Sequence, residues 1–107
     1  MAVPDLDHLA RAYRAFAHQH PEAFRLIFTP TASQESLQRS AAPVLLAVTA
    51  FVGEDHALSA ARLFTAWATG FVQMELAGAF RLGGDVEDAF EYGLRHMIAS
   101  LEAGRTG

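Results

Sequence analysis

HALSAARLFTAWATGFVQMELAGAF, running from His56 to Phe80, holds no proline, and between its ends its only polar stripe passes through Arg62, Thr69 and Gln73. Turned at 100° per residue, the segment is apolar almost all round, and such a helix has to be covered on both sides. It predicts helix packed on helix, and the sequence on either side agrees. Downstream, Arg81-Leu82-Gly83-Gly84 makes a helix-to-helix turn and Asp85 caps a fifth helix with Glu87 and Asp88 in its first turn. That helix is amphipathic: Val86, Phe90, Gly93, Leu94, Met97 and Leu101 share one face, opposed by Asp88, Glu91, Arg95 and Glu102. Glu91 and Arg95 form a favourably oriented i,i+4 pair. Only Gly104 to Gly107 reads as a frayed end.

Upstream, Gly53 ends a third helix that carries Leu37, Ala41, Val44, Leu45, Val48 and Phe51, and Asp55 is placed to cap the fourth. Pro43 should kink or break the third helix. Thr31 and Gln34 have capping-box spacing at its start, with Ser33 a competing cap. Pro21 disfavours helical geometry at His20 and restarts the chain as a short second helix, Glu22 to Phe28. The first helix spans Pro4 to about Gln19, with Asp5 and Asp7 complementing its dipole. Leu6, Leu9, Ala10, Tyr13, Phe16 and Ala17 form its apolar face; Asp7, Arg11, Arg14 and His18 lie opposite. No period-two alternation appears anywhere, so the reading is all-α, a single helical bundle of about five helices spanning 1–107.

Composition narrows the functional classes. The net charge of −4 and eight arginines scattered singly leave no basic track for a phosphate backbone, so direct nucleic-acid contact by this chain is not expected. Cysteine is absent, which removes disulfides, thiolate metal sites and cysteine nucleophiles. The longest apolar runs are too short and interrupted for a membrane span, and Met1 to Asp5 has no signal-peptide character; a cytoplasmic protein is the expectation. No pattern calls for a cofactor. His18 and His20 point to different faces, with His20 on the apolar side as a core histidine, and Glu91 to His96 has the wrong spacing for a helical metal site. No metal ligand set and no nucleophile elbow emerge.

The run Ala66-Trp67-Ala68-Thr69-Gly70-Phe71-Val72-Gln73-Met74-Glu75-Leu76-Ala77-Gly78 resembles the signature of the WHG group of TetR-type regulator C-terminal domains. Ala12-Tyr13-Arg14-Ala15-Phe16-Ala17-His18-Gln19-His20-Pro21 and Phe24-Arg25-Leu26-Ile27-Phe28 resemble the same group's opening helices. The likeness runs from about Leu6 to Leu101. Thr69 stands where the group's motif has its histidine, so no role of that histidine carries over. The resemblance implies a helical core enclosing a small-molecule pocket and a homodimer made by the last two helices. It also places a helix-turn-helix ahead of this domain. This chain opens at Met1 just before the sensor half, so the expectation is a domain without its own DNA-binding head.

Candidate sites follow. Phe64, Trp67, Phe71 and Met74 form a stripe that either packs the core or lines a pocket for a small hydrophobic or aromatic effector, faced by Tyr13, Phe16, Val48 and Phe51. Glu75 lies off the polar stripe. It either pairs with an arginine (Arg14, Arg25 or Arg95) or anchors a ligand's donor group. Leu58, Val72, Leu76, Phe80, Phe90, Leu94, Met97 and Leu101 are the candidate dimer contacts. Gly70, Gly78 and Gly93, read as helix-interior, would cost about 1 kcal/mol each against alanine, which suggests close helix crossings or room for a ligand. Two other functions fit the same pattern: a stand-alone protein that sequesters a hydrophobic molecule, and a small enzyme using Glu75 as acid or base.

Overall fold

The computed structural model describes residues 5–26, 44–50 and 52–105. Among the described residues there are five helices and no strand. The sequence-level expectations at Pro4, Phe28, the Thr31, Ser33 and Gln34 caps, the Pro43 kink and Phe51 lie outside the described residues.

The first helix, α1 (Leu6–Gln19), starts at Asp5, whose carboxylate accepts the backbone N–H of His8 at 2.7 Å. This satisfies one of the free donors of the first turn. It ends at His20, where the backbone leaves helical geometry (φ −135°, ψ 63°) ahead of Pro21. His20 is therefore an exposed terminus, its ring 5.5 Å from that of Phe16, and not the core histidine that its helical angle suggested. α2 (Pro21–Leu26) buries Phe24. α3 is seen over residues 44–50, with Ala47 and Val48 buried.

α4 (Ala57–Leu76) stops four residues short of Phe80. The reason is Gly78, which has φ +69° and closes the helix. Its N–H bonds the Glu75 carbonyl at 3.1 Å, and the Ala79 N–H bonds the Met74 carbonyl at 2.9 Å. This 5→2 and 6→1 pair satisfies the last carbonyls and requires a left-handed residue at that point. Gly78 is thus a terminator, not an interior glycine. Phe80, released from the helix, folds back to lie 5.0 Å from the Phe71 ring. α5 (Val86–Arg105) begins where Asp85 accepts the Glu87 N–H at 2.9 Å, the cap expected from the sequence.

The buried stripe of α4 is Ala57, Ala60, Phe64, Ala68 and Val72, at spacings of three and four. Four of the five are small or β-branched, so neighbouring helices come close. Leu6, Ala10, Ala47, Val48, Phe64, Phe90, Leu94 and Leu101 close one core around it. A second, smaller cluster joins Val72 to Ala17 and Phe24, with Tyr13 and Leu76 packed against it. Between α4 and α5 the approach is tight at Gly93: a Cβ there would sit 2.8 Å from the Trp67 indole. Only glycine permits that crossing.

Candidate functional site

α4 divides into two sides with different contents. On the side facing α5, Trp67 stacks on Phe90 (5.6 Å between ring centroids, 22° between planes), and Phe71 meets Phe90 edge-on at 5.5 Å. Phe64 lies 6.2 Å from Trp67. These aromatics pack one another in the offset and edge geometries that rings favour, and they hold the two helices together. Phe64, Trp67 and Phe71, read from the sequence as either core packing or pocket lining, pack this seam.

On the side facing α3 lies an open groove of about 450 Å³. Its walls are Val44, Leu45, Leu58, Ala61, Arg62, Thr65, Ala66 and Thr69. None of the eight sequence-derived ligand candidates that lie among the described residues is one of them. Val48 is fully buried in the core; Met74 points outward at 48% exposure; Phe16 lies against His20; and Phe51 is outside the described residues. Tyr13 reaches the groove indirectly, its hydroxyl 2.9 Å from Thr69 Oγ1. Burial raises the Tyr13 phenol above its ordinary pKa, and the Thr69 bond partly offsets this. The missed signal was Thr65, which joins Arg62 and Thr69 of the polar stripe at i, i+3 and i+7 on α4.

Glu75 has the ion-pair role. Arg14 Nε donates to its Oε1 at 3.0 Å and Arg14 Nη2 to its Oε2 at 2.5 Å, while His18 Nε2 lies 2.9 Å from Oε1. The Glu75 side chain is only 11% exposed and that of Arg14 only 15%. The Arg14 bonds hold the Glu75 carboxyl below the usual range, against burial, which pushes the other way. A carboxylate so committed is poorly matched to proton transfer near neutral pH, which argues against the enzymatic alternative. Arg14 also donates to Glu87 and lies 4.5 Å above the Phe90 ring, so a single side chain clamps α1 to both α4 and α5. One turn earlier Arg11 bridges Asp7 (2.7 Å) and Glu91 (2.8 Å), lowering both carboxyls. The face of α1 opposite its apolar stripe is therefore a cation row matched to acids on α4 and α5. Glu91 serves this row; the expected partner Arg95 instead lies over Tyr92 at 5.9 Å. A depression of about 370 Å³ beside Arg11, Arg14 and His18 offers a ligand no unpaired charge from the two arginines, because both are already neutralised.

The expected dimer contacts are also relocated. Val72, Phe90, Leu94 and Leu101 are buried inside the protomer; Leu76, Phe80 and Met97 are partly buried against it; Leu58 is a groove wall. Helical angle identified a continuous apolar surface but not which part the protomer itself covers. On α4, Leu63, Met74 and the groove-rim Ala66 are exposed in line with the half-buried Gly70, beside which a Cβ would meet nothing within 4 Å. On α5 the exposed stripe is Tyr92, His96 and Ala99.

Among the described residues no group of three acidic or histidine side chains is placed to hold a metal, and no helix is long and apolar enough to cross a membrane. No curated protein and no solved structure matches the chain. A family model does: the one described as tetracyclin repressor-like, C-terminal domain, matches residues 6–97, and the chain belongs to that family.

Proposed function

We propose that this chain is the effector-sensing and homodimerising domain of a TetR-type transcriptional regulator, acting in the cytoplasm without chemistry of its own. The observation that carries the reading is the groove beside α4. It falls within the roughly 300–1,000 Å³ range of small-molecule sites, and it is walled by Thr69, the position at which the resemblance departs from its group's motif. A small hydrophobic effector seated there reaches α1 through the Thr69–Tyr13 bond. The row of Arg11 and Arg14 then ties the position of α1 to α4 and α5. Ligand-linked population shift between two dimer geometries is the mechanism this connectivity supports.

The dimer surface proposed is the outer stripe of α4 and α5: Leu63, Ala66, Gly70 and Met74 with Tyr92, His96 and Ala99. Spacings of three and four on both helices suit an antiparallel or parallel four-helix seam, and the small residues Ala66 and Gly70 let two backbones approach. Sedimentation at micromolar concentration should give a dimer mass. Leu63→Glu with Met74→Glu should dissociate it while leaving the helical circular-dichroism signal intact, since both side chains are about half exposed (50% and 48%). A monomer mass for the unsubstituted chain sinks the dimer reading. A charge at Val72, by contrast, should unfold the protomer, because that side chain is fully enclosed.

A further inference from the structure

We infer that the ligand class for the groove is an amphipathic carboxylate: an apolar body with one anionic head, received by Arg62 and Thr65. The inference rests on reading the groove as the effector site. Its floor is aliphatic, with Val44, Leu45, Leu58 and Ala61 supplying the apolar contact. What sets the groove apart is the sign of its polar groups. Among the described residues, no wall residue is acidic. Among the described residues, neither the Arg62 guanidinium nor the Thr65 hydroxyl has a hydrogen-bond partner. This contrasts with Arg11 and Arg14, which are matched to acids, with Arg81, which donates to the Gly78 carbonyl, and with Arg95, which lies over Tyr92.

Arg62 and Thr65 are three residues apart and so are neighbours on one face of α4, about 4.5 Å apart along its axis. A planar guanidinium with a hydroxyl one turn away matches a carboxylate, which accepts from both, and charge assistance makes these the stronger kind of hydrogen bond. Thr69 continues the stripe, about 10 Å along the axis from Arg62. Between them the Thr69 and Tyr13 hydroxyls have two protons, and their mutual bond uses one. The other is left for an acceptor. A cationic ligand meets the like charge of Arg62 here, with hydroxyl oxygens as acceptors but no counter-charge among the described walls. A neutral alcohol of the same length fills the floor but leaves Arg62 without a counter-charge.

The test compares octanoate, 1-octanol and octylammonium by isothermal titration calorimetry on the full chain, below their aggregation concentrations, with amide shifts locating the site. Octanoate should bind about tenfold more tightly than octanol, and octylammonium more weakly than either. The preference should shrink as salt is raised. Arg62→Gln should remove the preference for octanoate and leave octanol binding unchanged; Arg62→Lys should keep part of it. Arg62 is exposed, so neither substitution threatens the fold. If octanol equals octanoate, or Arg62→Gln keeps the preference, the carboxylate assignment is overturned while the groove stands as an effector site. If neither octanol nor octanoate perturbs Thr65 and Thr69, both the assignment and the groove reading fall.

Discussion

The two sides of α4 teach opposite lessons about what a ligand site looks like in a sequence. Toward α5 the helix presents Phe64, Trp67 and Phe71, the residues that most resemble pocket lining, and they are consumed by Phe80, Phe90 and the bare backbone of Gly93. Toward α3 it presents Leu58, Ala61, Arg62, Thr65 and Thr69, an unremarkable mixture, and there the groove opens. Large flat side chains fill space. A cavity persists where small or short side chains fail to fill it, as interiors otherwise pack to crystal-like density.

The sharpest way to break this comparison is to truncate one residue on each side. Phe90 is enclosed, stacked on Trp67 and capped by Arg14, so Phe90→Ala should cost ~3–5 kcal/mol of unfolding free energy. Gly93→Val, forcing a branched side chain against the indole, should cost ~1–3 kcal/mol. Leu58→Ala, on a groove wall and 54% exposed, should cost less than about 1 kcal/mol, since little burial is lost. Urea unfolding of the three variants measures all of this. Comparable losses for Phe90→Ala and Leu58→Ala would mean that the groove is filled in solution.

A second contrast sets the aromatic seam against the ionic clamp on α1. The seam has no titratable group, whereas Glu75 carries a carboxyl lowered from 4.5 chiefly by Arg14. A depressed folded-state pKa means that the unfolded chain binds the proton more readily. The clamp's contribution is therefore fully present above pH 4.5 and is lost as pH falls below it through the folded value. Asp7 and Glu91 are shifted the same way by Arg11 and add to the slope. Glu75→Gln should lower stability at neutral pH and flatten its fall on acidification, while Phe90→Ala lowers stability in parallel across the whole range. Unfolding midpoints from pH 7 to 3 distinguish the two; an unchanged acid slope in Glu75→Gln would remove Glu75 from the clamp.

Most of the fold was legible because local chemistry fixed it. Asp85 caps α5, Pro21 separates α1 from α2, and the all-α assignment follows from helical period alone. The errors share one cause: helical angle says which residues lie on one face but not what covers that face. Arg11, Arg14 and His18 read only as the polar face of α1, and that face meets acids from two helices. Val72 and Phe90 read as dimer contacts and are protomer core. Three glycines with the same apparent cost have three settings: Gly78 terminates α4, Gly93 admits an indole, and Gly70 faces open space. Glu75 was legible as either an ion pair or a ligand anchor, and the choice of the pair, with Arg14 among three candidate arginines, needed the three-dimensional arrangement.

The smallest expected effect is an absence of response, and it is the most direct report on which side of α4 binds. Trp67 is the chain's one tryptophan, so its emission is unambiguous. Its indole lies between α4 and α5, stacked on Phe90 and pressed against Gly93, whereas Arg62, Thr65 and Thr69 project to the other side of the helix. A ligand seated on those three residues has the body of α4 between itself and the ring, a barrier about 10 Å across with side chains. Saturating ligand should therefore raise the melting temperature while leaving the Trp67 emission maximum and intensity unchanged. Thr69→Val keeps the volume but removes the hydroxyl, and should weaken the ligand-induced stabilisation with the emission still silent. A saturable shift or quench that follows the stabilisation would mean the opposite: either the ligand enters the aromatic seam, or groove binding repacks α4 against α5. Gly93 separates those two outcomes, because a ligand wedged into the seam must move the indole off it, and the Gly93 amide would then shift before those of Thr65 and Thr69.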